Sequence, residues 1–320
     1  MPYRIEACLP PTLGGDNSPE ALAAGTGGTP YQYRALIPWM VRAAVEAKAV
    51  APQHERIVFA AFEGVTLLSI GLVFRRLLSL FITGDALTAA LALTVYAVLP
   101  FNYFNGPFFP YDTPSALFFM IGLILIHEQR WRWFYPVFAL ATLNRETSIF
   151  LAVVTVLVLA GRYSNRAVAM LAGSQLAIWV IIKAVLWLLY QHNPGTAFRF
   201  FDFQLRVNVF TVLEAPIKSL ATLSTWGCLW IWVLVWLSRI RHDFLTRALW
   251  VVPVFLAGMM LVGFLPEIRI YGEMLPLILV AFWVAFLDVI REARDLDQLE
   301  QVISRPPSPR DRSAAPDRPA

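Results

Sequence analysis

Charge is scarce in this chain. Of its 320 residues only 15% are Asp, Glu, Lys or Arg, against roughly a quarter in soluble globular domains. That shortage excludes an ordinary water-soluble fold. Cysteine is nearly absent as well. Cys8 and Cys228 lie far apart in sequence, so there is no disulfide framework. The four histidines, His54, His127, His192 and His242, are scattered singly, and no Cys/His spacing of the metal-binding kind occurs. Runs that alternate polar and apolar residues are missing too, which argues against a transmembrane β-barrel. No internal repeat of the transporter type is visible. The net charge of +4 reads as Lys and Arg in cytoplasmic loops, and nucleic acid is not expected as a partner.

What the chain has in abundance is apolar surface: 58% of its residues are hydrophobic, with 11 Trp and 23 Phe. Nine apolar segments are read, at approximately 57–74, 86–101, 113–127, 134–144, 147–161, 167–190, 219–238, 247–264 and 271–289. Several approach the roughly 20 residues a membrane helix needs. The expected fold is all-α, a polytopic helical membrane protein of about nine segments with amphipathic helices on its outer face. Segments 113–127, 134–144 and 147–161 are short for full spans, and short helices are tolerated where they line a protein-enclosed cavity.

Arginine sets the orientation. Arg75 and Arg76, Arg130 and Arg132, Arg162 and Arg166, Arg239, Arg241 and Arg247, then Arg291 and Arg294 fall in alternate loops, which assigns those loops to the cytoplasm. Loops 102–112, 144–147, 191–218 and 265–270 then lie outside. Three regions result: an outer tail over 1–56 with an amphipathic helix at 31–50, a transmembrane domain over 57–290, and a disordered cytoplasmic tail over 291–320. One or two short surface helices are expected in 191–218. The span at 57–74 runs inward from outside with no earlier span or signal peptide before it, so a first helix is expected to be missing.

Asn144-Arg145-Glu146-Thr147 breaks the apolar stretch between Phe134 and Ala160. Ionisable residues at membrane depth are functional candidates by default. The break reads as a tight turn at headgroup level, as an anion-binding station with Arg145 as the anion partner, or as a structural ion pair. Asp112 reads first as the N-cap of the helix that follows, which leaves a binding role open. In Glu267–Pro276, helical spacing pairs Arg269 with Glu273 and Glu267 with Tyr271. Glu63 and Lys183 lie at a common depth in their spans and suggest a polar cavity open to the outside. Lys183 also reads as snorkelling outward.

Four stretches carry a family resemblance: Tyr33–Trp39 (YRALIPW), Tyr111-Asp112, Leu143–Ser148 (LNRETS) and Glu267–Pro276 (EIRIYGEMLP). Together, over about residues 14–290, they resemble bacterial members of the GT-C superfamily of polytopic membrane glycosyltransferases. The resemblance implies a polyprenyl-phosphate sugar as donor, a lipid or glycan acceptor, membrane lipids as surroundings, and work at the outer face of the bacterial inner membrane. It implies no obligate cofactor and leaves room for a divalent metal, with no metal ligands assigned. The family's acidic residue in the first outer loop corresponds to Asp16. This chain departs from the family pattern in lacking the first span and a paired acidic motif.

The candidate set is therefore Asp16 and Glu146 for catalysis, and Arg34, Asp112, Asn144, Arg145, Lys183, Glu267, Arg269, Tyr271 and Glu273 for substrate binding. In such a site a carboxylate takes the acceptor proton and a cation stabilises the departing lipid phosphate. Two other readings stand beside the transferase: a lipid or small-molecule transporter or flippase, and a non-catalytic relative of the enzymes.

Overall fold

The computed structural model describes residues 18–48, 51, 55–103, 109–194, 208–209, 213, 224–263 and 267–303. Among them there is no β-strand. The helices are α1 (Pro19–Ala24), α2 (Leu36–Glu46), α3 (Glu55–Leu78), α4 (Asp85–Ala92), α5 (Thr94–Tyr103), α6 (Asp112–His127), α7 (Trp131–Asn144), α8 (Ile149–Leu159), α9 (Asn165–Tyr190), α10 (Leu229–Val235), α11 (Asp243–Leu249), α12 (Val251–Val262) and α13 (Leu275–Ile303). Short 3₁₀ turns at Tyr31–Tyr33, Glu146–Ser148, Thr225–Cys228, Leu237–Arg239 and Ile268–Met274 link them.

Among the described residues five helical stretches are long and apolar enough to cross a membrane: Ile57–Leu78, Asp85–Tyr103, Asn165–Tyr190, Asp243–Val262 and Ile268–Arg294. Of the nine segments read from the sequence, those at α6, α7, α8 and the Thr225–Val235 stretch are too short to count among these five. At 1.5 Å per residue, the 16 residues of α6 reach only about 24 Å.

The core is built around that short helix. α6 packs against α3, α7, α8, α13 and the Ile268–Met274 turn, and twelve of its residues are buried. Gly122 makes the α8 contact close, since a Cβ there would stand 2.6 Å from Leu151 Cδ1. By contrast α9 is largely unpacked, with Met170, Val180, Ile181 and Leu188 exposed, as suits a helix facing lipid. Between α4 and α5 the chain bends at Leu93, and Thr94 is pinned there by the Trp283 indole of α13 at 3.0 Å.

The loops sort to two ends as the arginine alternation requires. At one end Arg76 and Arg130 pair with Glu128, Arg162 and Arg247 with Asp243, and Arg239 with Glu292. At the other end Tyr31–Arg34, Tyr111-Asp112, Asn144–Ser148 and Glu267–Glu273 converge.

Three details differ from expectation. The last helix runs to Ile303, past the boundary at 291 set for a disordered tail, because no Pro or Gly interrupts the chain between Pro276 and Pro306. The amphipathic segment forms a helix over Leu36–Glu46 only, and it buries Ile37, Pro38 and Val41 against the bundle. Residues 268–274 form a 3₁₀ turn rather than α-helix. Asp16, Cys8 and nearly all of 191–218 apart from its first residues lie outside the described residues.

Overpacking the α6–α8 contact tests this core. Gly122→Val should destabilise the detergent-solubilised protein by about 1–3 kcal/mol in thermal unfolding. Gly173→Ala on α9, where nothing lies within 4 Å of the new Cβ, should not lower the melting temperature.

Candidate functional site

The converging end is held by a buried ion network. α7 ends at Asn144, and Arg145 is extended, with φ −158° and ψ 147°. An extended residue sends successive side chains to opposite sides, so Arg145 and Glu146 diverge instead of pairing. Arg145 Nη1 donates to Asp112 Oδ1 at 3.1 Å, and its Nε lies 3.4 Å from Glu273 Oε1. Thr147 donates to the same Glu273 oxygen. Arg269 Nη1 donates to both Asp112 oxygens, at 3.1 and 2.9 Å, and its Nη2 to Glu267. Asp112, Arg145, Arg269 and Glu273 are each at most 5% exposed.

Glu146 belongs to the other half. Arg34 grips it twice, Nη2 to Oε1 at 2.7 Å and Nε to Oε2 at 3.3 Å. The Trp179 indole donates to the Glu146 carbonyl at 2.8 Å. Lys183 Nζ donates to the Tyr33 carbonyl at 3.3 Å and acts on Glu146 through space. Aromatic rings fill the space between the halves. Arg34 stands 4.6 Å from the Tyr111 ring centre, and Arg269 3.5 Å from that of Phe109. Phe109 in turn stacks on Tyr31 at 5.6 Å. Burial disfavours the charge on Arg34, but Glu146 outweighs it, and with Tyr111 and Asp112 holds the guanidinium well above its ordinary range. Burial also pushes the Tyr111 phenol up, with Arg34 and Arg269 opposing.

Asn144 locks the break to α6. Its Nδ2 donates to the Tyr111 carbonyl at 2.9 Å and to Ser115 Oγ at 2.8 Å. Several buried polar atoms here have no hydrogen-bond partner among the described residues: Arg34 Nη1, Tyr111 Oη, Asn144 Oδ1, Arg145 Nε and Arg269 Nε. Beside the network lies an apolar cavity of about 630 Å³. It is lined by Thr225, Trp226 and Tyr271, by Trp230 and Val233 of α10, by Leu249 of α11 and by Leu256 and Met260 of α12. Trp226 fixes its upper wall, the indole donating to the Tyr271 carbonyl at 2.7 Å and the backbone N–H to Asn102 at 3.3 Å.

No family model, no curated protein and no solved structure matches this chain.

The structure thus gathers Arg34, Asp112, Asn144, Arg145, Glu146, Lys183, Glu267, Arg269 and Glu273 at one end. Tyr271 is fully buried nearby and lines the cavity. Three readings of detail change. Asp112 makes no capping hydrogen bond; two guanidinium groups occupy its carboxylate. Arg269 and Glu273 do not pair, because a 3₁₀ turn has three residues per turn and separates i from i+4. The Asn144–Thr147 break is not an exposed turn, since Asn144, Arg145 and Thr147 are buried inside the protein. Phe109 and Tyr111 are buried and face arginines. The sequence reading named Thr147 in the break without its bond to Glu273, and missed Ser115 and the Asn102–Trp226 link. Only their placement near the helix breaks signalled them.

Asp112→Asn should remove the carboxylate that two buried guanidinium groups share, leaving Arg145 with Glu273 alone and Arg269 with Glu267 alone. A loss of about 3–5 kcal/mol in thermal stability is expected. Arg42→Ala, which removes the exposed pair with Glu46, should leave the melting curve unmoved.

Proposed function

We propose that the protein is a membrane glycosyltransferase that takes its sugar from a polyprenyl-phosphate donor and works at the outer face of the bacterial inner membrane. The carrying observation is that the apolar cavity and the ion network share one segment. Tyr271 lines the cavity, while Arg269 and Glu273, two residues to either side, belong to the network. A lipid chain suits a cavity walled by Trp, Leu, Val and Met. Arg269 keeps one buried N–H without an acceptor, and a guanidinium suits a phosphate. On this reading the lipid chain occupies the cavity, and the phosphate rests near Arg269 at its head. Lys183, which makes no ion pair among the described residues, and the unpartnered Nη1 of Arg34 supply further donors.

The nine-segment topology belongs to the same proposal. α6, α7, α8 and the Thr225–Val235 stretch cross as partial spans that enclose polar groups, as short helices within protein are able to do. Glu146, with both oxygens held by Arg34, serves as a positioning residue and not as the base. A lipid or glycan hydroxyl is the acceptor.

Reconstitution in liposomes with a radiolabelled polyprenyl-phosphate sugar tests the reading, and a labelled product is expected. Leu256→Trp, which fills the cavity, should lower kcat/KM for the donor about tenfold, equivalent to about 1.4 kcal/mol. A wild-type protein that gives no product, in a strain whose surface glycans survive deletion of the gene, would sink the proposal.

A further inference from the structure

Five carboxylates are described around the network end, and four are tied to arginine: Asp112 to Arg145 and Arg269, Glu146 to Arg34, Glu267 to Arg269, and Glu273 to Arg145. Glu63 is the exception among the described residues. It lies about six residues into the Ile57–Leu78 helix, roughly 9 Å from that helix's end at 1.5 Å per residue. The Thr113 hydroxyl donates to its Oε2 at 2.6 Å. Among the described residues no cation lies within ion-pair distance of it, and its Oε1 accepts no hydrogen bond. The side chain is half-buried, so it is within reach of a small group without being open to bulk solvent.

Position matters as much as isolation. Thr113 follows Asp112 directly, and Asp112 is bound by Arg269. Glu63 is therefore joined to the proposed phosphate anchor through two adjacent residues. Tyr103 sits in the same field, acted on by Asp112, Arg145, Glu273 and Glu63, with its hydroxyl against Gly272. An unpaired carboxylate at membrane depth is costly to keep. An arginine-bound carboxylate is a poor proton acceptor, because its lone pairs are taken and its charged form is stabilised. Glu63 carries neither handicap.

We propose that Glu63 is the proton acceptor of the transfer reaction. This rests on the glycosyltransferase reading. In the step, the acceptor oxygen forms a bond to the anomeric carbon as the bond from that carbon to the phosphate oxygen breaks. The departing electron pair stays on the lipid phosphate beside Arg269. The hydroxyl proton passes to Glu63 Oε1 and later to water, so charge and atoms balance without a co-reactant. Thr113 holds the carboxylate by its other oxygen and leaves Oε1 to the acceptor.

Steady-state transfer by wild type and by Glu63→Gln in liposomes tests this. The amide keeps the shape and accepts the Thr113 hydrogen bond. It should lower kcat by about 10²–10⁴-fold, with donor KM within about twofold and the acidic limb of the pH–rate profile lost. Glu63→Ala should regain part of its activity with added formate, a response that a purely structural role does not produce. A Glu63→Gln rate within about threefold of wild type, or no gain with formate in a folded Glu63→Ala protein, would overturn the assignment while the transferase reading stands. Wild type that transfers no sugar overturns both.

Discussion

The fold of this protein turns on Asp112. Its carboxylate, almost wholly buried, accepts hydrogen bonds from Arg145 and Arg269. Those three residues come from the start of α6, the break after α7 and the turn before α13. None of the three can be buried alone, because an isolated charge in an apolar interior costs several kcal/mol. Placing the break at Asn144 therefore requires the other two segments to meet it. Glu273 and Thr147 on one side, and Glu146 and Arg34 on the other, extend the same requirement to α8 and to the N-terminal region.

Helix length follows from that constraint. α6, α7 and α8 stop short of a full span because their ends carry residues that must reach the network. Their buried faces pack on one another, and the close approach at Gly122 lets Leu151 fill the gap that a side chain would occupy. α9 and the outer face of α3 are then left apolar and exposed, with Leu68 and Leu72 exposed on α3. The Ile268–Met274 turn serves two neighbours at once. Its charged residues enter the network, while the Tyr271 carbonyl receives the Trp226 indole and helps wall the apolar cavity. Water exclusion by that packing strengthens every charge interaction at this end.

Much of this was legible in the residues. The apolar runs give helices in nearly the expected places, since a backbone in lipid must satisfy its own hydrogen bonds. The alternation of arginines placed the loops at the two ends they occupy. The polar residues that interrupt apolar runs, Asn144, Arg145, Asp112, Arg269 and Glu273, are the ones the fold brings together. Pairings were not legible. Arg145 and Glu146 are neighbours in sequence yet bind opposite partners, because one extended residue turns the chain. Arg269 and Glu273 fit an α-helical pair on paper, but the segment is a 3₁₀ turn. Glu63 drew notice by its depth, whereas its lack of an arginine among the described residues became visible only when the four carboxylates of the network had been matched.

The sequence by itself determined an all-helical membrane protein, the order of its segments and the end at which its rare charges gather, because hydrophobic periodicity and loop charge act locally. The tertiary structure alone decided which carboxylate meets which arginine, that Phe109 and Tyr111 lie beneath guanidinium groups, and that the apolar cavity adjoins the network. Those are contacts between residues tens to hundreds of positions apart, such as Asp112 with Arg269. They depend on how helices of unequal length pack around α6, and no local pattern encodes that.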